Sequence, residues 1–241
     1  MDVIAAEYPG YGLYTSDEPS EKTIVEDATL IVQHCIQNLK YKEENIILIG
    51  RSLGTGVALQ IGSIYRKIRA IILISAFLSI RYVGENLAGT TLSKFLPNVF
   101  RNEEVIPLIR SPVLFIHGMN DTLVPWTASQ TLYIKCLATK ELYLGPSMDH
   151  NKMDFKNDII MPIIKFFSGK LGMKGFESVG EKPGISKLDL LTEMDDFPYL
   201  CFPFIDPSKG EETDEPSAKT TRSKRSGSMI ATEGDLRFDD V

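Results

Sequence analysis

Asn45-Ile46-Ile47-Leu48-Ile49-Gly50-Arg51-Ser52-Leu53-Gly54-Thr55-Gly56 is the stretch on which the reading of this chain turns. An apolar run rich in β-branched residues, long enough for one buried strand, passes through Gly-x-Ser-x-Gly into the helix-like Val57-Ala58-Leu59-Gln60-Ile61. A serine so placed has the signature of a nucleophile elbow, a strained turn that exposes its hydroxyl at the carboxyl end of a sheet. The positions two before and two after it should approach neighbouring backbone too closely for a Cβ, and they are Gly50 and Gly54. The start of the following helix aims backbone N–H groups at the same point, where an oxyanion would form on an attacked carbonyl. A plain Ser-Gly turn is the competing reading, since so short a pattern arises often by chance; the strand before and the helix after favour the elbow.

A serine hydroxyl is a weak nucleophile until a base takes its proton, so Ser52 calls for a histidine and for a carboxylate to orient it, in the chain order Ser, acid, His. The apolar segment from Ser111 to Gly118 reads as a buried strand, and the loop after it, Met119-Asn120-Asp121-Thr122-Leu123-Val124-Pro125, places Asp121 at the carboxyl edge of the sheet. As a turn residue Asp121 would merely cap the next helix; its edge and its order favour the acid. His150 lies in Gly145-Pro146-Ser147-Met148-Asp149-His150-Asn151, before the last helix, and follows Asp121 as the base must. Asp149 adjoins His150, but neighbouring loop side chains seldom face each other well enough to hold an imidazole. His117, in or just after the strand, reads as structural or as a support behind the residues of the site, and His34 as a surface or boundary residue of a helix.

Composition sets limits on what surrounds these residues. The 241 residues are 43% hydrophobic, enough for one domain with a real core. A net charge of −6 argues against a nucleic-acid partner, because neutralising phosphates needs a basic face. Cys35, Cys136 and Cys201 are far apart and odd in number, which suits reduced intracellular thiols rather than a disulfide framework or a metal site. The apolar stretch from Ile71 to Ile80 falls well short of the ~20 residues of a membrane span. Neither a signal peptide nor a lipidation motif is recognisable, so the expectation is a cytoplasmic protein that meets membranes peripherally, through its substrate.

Along the chain, Asp2 to Tyr8 reads as a short buried strand closed by the turn Pro9-Gly10-Tyr11-Gly12. Between Thr23 and Leu39, Ile24, Ala28, Ile31, Val32, Cys35, Ile36 and Leu39 recur at helical spacing, with Thr23 and Glu26 as a capping box. Further strands are expected at Ile68 to Ser75 and Glu141 to Leu144, and helices at Ala128 to Leu137 and Asp158 to Phe167. The alternation implies an α/β fold, a mostly parallel sheet flanked by helices on both faces. Residues 1–172 form the expected domain. From 173 to 241 the composition turns to Gly, Pro, Ser, Lys and acidic residues, and this tail is expected to be mostly disordered. It carries an apolar island, Phe197 to Ile205, and a basic run, Arg222 to Ser228, that is similar to a kinase site but reads first as a solvated charged stretch.

Tyr8-Pro9-Gly10-Tyr11-Gly12, Gly50-Arg51-Ser52-Leu53-Gly54-Thr55-Gly56, His117 to Pro125 and Asp149-His150-Asn151 together resemble the alpha/beta-hydrolase superfamily over residues 1 to about 170. More narrowly they resemble its small-lid, alpha/beta-hydrolase-domain-containing members, which include protein depalmitoylases. The resemblance implies a serine hydrolase acting on an ester or thioester, with Ser52 as nucleophile, Asp121 as acid, His150 as base and the Leu53 backbone N–H as one oxyanion donor. It implies no cofactor or metal, and an acylated protein or a lipid ester as substrate. The span from Ala76 to Arg110, where relatives carry a lid, is too short for a large cap and implies an open site. A peptidase of the same fold, or a non-catalytic scaffold derived from it, is the alternative.

Two departures stand out. Gly145 lies five residues before His150, so the loop to the base should be longer than in the family. The family also has strands before the one expected at Asp2 to Tyr8, and the loop after the third of them carries the second oxyanion donor. The chain therefore reads as N-terminally incomplete. Its Tyr8 and Gly50 strands should either pair directly or keep open edges, and losing one oxyanion donor lowers turnover by roughly 100- to 1,000-fold.

Overall fold

A computed structural model describes residues 2–14 and 18–173 of the chain. Four parallel strands form one sheet in sequential order: β1 (Ile47–Arg51), β2 (Ala70–Ile74), β3 (Val113–Gly118) and β4 (Lys140–Gly145). Each crossover carries at least one helix. The principal helices are α1 (Glu21–Gln37), α2 (Leu53–Ile64), α3 (Ile80–Ser93), α4 (Asn102–Val105), α5 (Thr127–Lys135) and α6 (Met161–Lys165). The fold is that expected, a parallel sheet with helices on both faces.

Strands β2 and β3 are buried along their whole length because each has a neighbour on either side and helices above and below. On one face Ile71, Leu73, Val113 and Phe115 pack against Ala58 and Leu59 of α2 and Leu132 of α5. On the other, Ile72, Ile74, Leu114 and Ile116 meet Ile159, Phe166 and Phe167. A third cluster joins Ile24 and Val32 of α1 to Val57 and Ile61 of α2, with Phe77, Phe100 and Val124 above the carboxyl end of the sheet. Cys35 and Cys136 are buried free thiols.

The amino-terminal strand is the main correction. Among the described residues, 2–8 join no ladder and most of them are exposed; an isolated bridge between Tyr11 and Tyr14 follows them. Among the described residues β1 keeps an open edge instead of pairing with this segment, and Ile49 is 62% exposed. The run ending at Gly50 is thus an edge strand rather than a buried one. Apolar, β-branched sequence makes a strand only where a neighbour supplies the ladder's hydrogen bonds, and among the described residues none reaches Asp2 to Tyr8.

Smaller corrections have local causes. Helix α1 starts earlier than its periodicity suggests: Ser20, in extended backbone, accepts from the Thr23 N–H at 3.1 Å while the Ser20 N–H donates to Thr23 Oγ1 at 3.0 Å. The capping box is therefore Ser20/Thr23, not Thr23/Glu26. The last helix begins with a widened, π-type turn over Phe155–Ile160, continues through α6 and widens again over Phe166–Lys170. Pro162 explains the first widening, because its ring displaces the carbonyl four residues back and it has no N–H to donate. Apart from Met173, the tail from 173 to 241, with its apolar island and basic run, lies outside the described residues. Among the described residues no helix is long and apolar enough to cross a membrane.

Candidate active site

Ser52 sits between β1 and α2 with φ 49° and ψ −119°, a conformation costly for any residue with a Cβ. Two neighbours hold it there. The Ser52 N–H donates to the Ile74 carbonyl of β2 at 2.9 Å, and the Ser52 carbonyl accepts from Thr55 Oγ1 at 2.6 Å. A Cβ on Gly50 would stand 2.3 Å from the Gly54 carbonyl oxygen, so that position accepts glycine alone. Gly54 differs from expectation: a Cβ there would meet the Tyr8 hydroxyl at 3.3 Å, a side chain rather than backbone. Although Ser52 occupies the N-cap position of α2, its side chain makes no capping bond, which leaves the hydroxyl available for chemistry. Leu53 begins the helix, where N–H groups have no intrahelical partner.

Asp121 lies in the turn after β3, fully buried at the side chain. Its Oδ1 accepts from the N–H groups of Leu123 and Val124 at 3.0 and 2.8 Å. Its Oδ2 is 2.7 Å from His150 Nδ1 and 3.3 Å from His117 Nε2. Burial by itself would raise the Asp121 pKa; hydrogen bonds from both histidines and from the Val124 N–H outweigh it and hold the carboxyl well below the usual carboxylate range. The charged acid fixes the tautomer of its partner: Nδ1 of His150 donates to Asp121, and Nε2 is left as the basic nitrogen. His117, also fully buried, faces the Val124 carbonyl through Nε2 at 2.8 Å and Ser129 Oγ through Nδ1 at 2.7 Å. It braces the acid's turn from inside the core, the supporting role expected of it, through partners that its place in an apolar strand did not reveal.

The long approach to His150 is filled rather than slack. Met148 is buried among Leu114, Ile116 and Phe166, and its carbonyl accepts from the Asn120 N–H at 3.0 Å. The Met119 N–H donates to the Gly145 carbonyl at 2.9 Å, so the loops of acid and base are laced together. Gly118 permits this, since a Cβ there would lie 2.3 Å from the Met148 carbonyl oxygen. Asp149 turns away from the imidazole and accepts from the N–H groups of Asn151 and Lys152 at 2.8 and 2.6 Å. Those bonds lower its pKa, that from Lys152 foremost.

Asp121 and His150 are thus brought together, and Ser52 lies at the same carboxyl edge of the sheet. Among the described residues no hydrogen bond joins Ser52 to His150, a bond that in such sites tightens only around the reacting group. Arg51, which the sequence reading passed over, donates through Nη2 to the His150 carbonyl at 2.5 Å and to Asn151 Oδ1 at 3.0 Å. The signal available was a charged residue ending an apolar strand beside the candidate nucleophile. Above the acid, α3 breaks at Gly89, where φ is 80°, and Asn86 Nδ2 donates to the carbonyls of Thr122 and Leu123 at 2.9 and 3.2 Å. Leu87, Leu92 and Phe95 of this short lid are exposed.

The arrangement offers a strained serine, a helix N-terminus beside it and an oriented imidazole, the elements of acyl transfer. Comparison with known proteins agrees in fold. Residues 1–105 match a family described as serine aminopeptidase, S33, a stretch that includes the elbow but neither Asp121 nor His150. The chain is 29% identical over 153 residues to the alpha/beta hydrolase domain-containing protein aho-3 of Caenorhabditis elegans, covering 64% of this chain and 45% of that protein. It is 32% identical over 159 residues to an uncharacterized membrane protein of Saccharomyces cerevisiae, covering 63% of this chain and 55% of the relative. The chain therefore spans about half the length of these relatives. Among solved structures, a puromycin hydrolase superposes with a TM-score of 0.52 at 10% identity, over 63% of this chain and 26% of the other.

Proposed function

We propose that the chain, which resembles alpha/beta hydrolases in sequence and fold, is a serine hydrolase cleaving an ester or thioester through an acyl-enzyme on Ser52. The observation that carries this reading is the 2.7 Å bond between His150 and the buried Asp121, at the sheet edge where Ser52 stands on its strained turn. In this mechanism Ser52 Oγ attacks the carbonyl carbon and passes its proton to His150 Nε2. The Leu53 N–H and the start of α2 stabilise the oxyanion. Collapse breaks the bond to the leaving thiol or alcohol, which takes the proton from His150. Water, deprotonated by the same nitrogen, then attacks the acyl-enzyme and frees Ser52. Asp121 stays ionised throughout and stabilises the imidazolium. No metal or cofactor enters these steps.

For substrate we favour a long acyl chain on a protein thiol, as in a palmitoyl-protein thioesterase, with a lipid ester as the variant within the same class. Support comes from the lid, where Phe95 is 88% exposed and Leu87 and Leu92 flank the break at Gly89. Such a rim suits an apolar chain presented from a membrane surface or from another protein. The match to a serine aminopeptidase family favours a second reading, a peptidase using the same three residues.

The test is labelling of the purified chain by a fluorophosphonate, comparing wild type with Ser52→Ala and His150→Ala. Labelling lost in both variants supports the hydrolase, and turnover of palmitoyl thioesters against aminoacyl anilides then separates thioesterase from peptidase. A folded wild type that does not label overturns the reading in favour of a non-catalytic scaffold.

A further inference from the structure

We propose that Arg51 is a positioning residue that sets the pose of His150 by tying the segment of the nucleophile to the loop of the base. The inference rests on the reading of Ser52, Asp121 and His150 as a working site. Within the described residues, the hydrogen bonds that join the elbow to the histidine loop come from Arg51 Nη2, which reaches the His150 carbonyl and Asn151 Oδ1. On the far side, hydrogen bonds hold that loop to the acid's turn: His150 Nδ1 to Asp121, the Asn120 N–H to the Met148 carbonyl, the Met119 N–H to the Gly145 carbonyl, and Asn120 Nδ2 to the Pro146 carbonyl at 3.2 Å. Without Arg51 the base would be located relative to its nucleophile only indirectly, through the acid's turn and the ladder of β3 and β2.

The residue type fits the task. Arg51 is covalently next to Ser52, so its backbone is fixed by the ladder to Ile74 and by the strained turn. A planar guanidinium with directed N–H groups can serve acceptors on two consecutive residues at once, whereas a lysine ammonium is a single point of charge. Partial burial keeps the side chain from sampling other rotamers freely. A misplacement of about 1 Å between nucleophile and base can cost about 100-fold in rate, so a tether of two hydrogen bonds across a five-residue approach has kinetic weight.

The experiment reads position and chemistry separately. Proton NMR of the full chain follows the His150 Nδ1–H, which its bond to Asp121 shifts downfield and which His150→Ala identifies by its loss; fluorophosphonate labelling rates follow Ser52. In Arg51→Met we expect the Nδ1–H resonance to broaden and exchange faster with water, and labelling to slow about 10- to 100-fold. Arg51→Lys should fall between, Asn151→Ala should lose less, and methylguanidine should restore part of the labelling rate in Arg51→Ala. A cooperative unfolding transition in Arg51→Lys shows that the comparison is made on folded protein. If Arg51→Met keeps both the resonance and the wild-type labelling rate, the positioning role is overturned while the hydrolase reading stands. If wild type never labels yet its imidazole signal depends on Arg51, the role holds and the hydrolase reading falls.

Discussion

Ile49 and Ile72 lie side by side in the register of β1 and β2, yet the first is 62% exposed and the second fully buried. The same contrast separates the middle of the sheet from its margins: β2 and β3 are laddered on both sides and buried throughout, whereas among the described residues β1 and β4 each have one open edge and residues 2–8 form no strand. Similar residues occur on both sides. The difference lies in neighbours, since a strand is stabilised by what pairs with it and what covers it rather than by its own composition. The candidate nucleophile stands at the boundary, on the last turn of the edge strand, and is held by one backbone bond to β2 and by Arg51 across to the base.

That contrast can be broken in stages. The largest effect is expected at the acid: Asp121→Asn should slow labelling of Ser52 roughly 10⁴-fold by removing the charge that orients His150, measured as the fluorophosphonate reaction rate on folded protein. Next, Ile72→Ala should cost about 2–5 kcal/mol in urea unfolding, whereas Ile49→Ala, its exposed register partner, should cost under about 0.5 kcal/mol. Equal losses would show that β1 is covered in solution. Gly118→Ala should cost about 1–3 kcal/mol and slow labelling as well, because the displaced Met148 carbonyl carries the histidine loop with it.

Acid titration sharpens the same picture. The Asp121 pKa is depressed in the folded state, so its contribution is fully present above the unfolded carboxylate value of about 3.9. It is lost as pH falls through the lower folded value. Wild type should therefore exceed Asp121→Asn in stability near neutrality and lose that advantage in strong acid, as urea midpoints across pH would show. The smallest effect is expected at Ile4→Ala, within about 0.5 kcal/mol of wild type; a larger loss would mean that the amino-terminal segment packs in solution.

Much of this was legible in the chain. The runs 68–75 and 111–118 read as strands because buried parallel strands are continuous apolar segments, the shorter 141–144 from its place after a helical segment, and the turn at Ser52 was marked by its flanking glycines. Asp121 and His150 were legible as partners through chain order and sheet edge alone. The ladder missing from Asp2 to Tyr8 was not legible, since local sequence says nothing of whether a neighbour arrives. Nor was the Ser20/Thr23 cap, because several hydroxyl and acidic residues near a helix start satisfy the same pattern. The role of Arg51 and the partners of His117 escaped for one reason: Val124 and Ser129 for the histidine and His150 and Asn151 for the arginine come from different segments.

By itself the sequence determined the class of fold, the strained serine turn and the pairing of Asp121 with His150 at the same sheet edge, because these follow from periodicity, glycine placement and the order of segments along a parallel sheet. Tertiary structure alone decided which apolar runs became buried strands, how the long loop to His150 is filled by Met148, and which side chains brace the acid and tether the base. Those outcomes depend on contacts between distant segments, and such contacts exist only once the chain has folded.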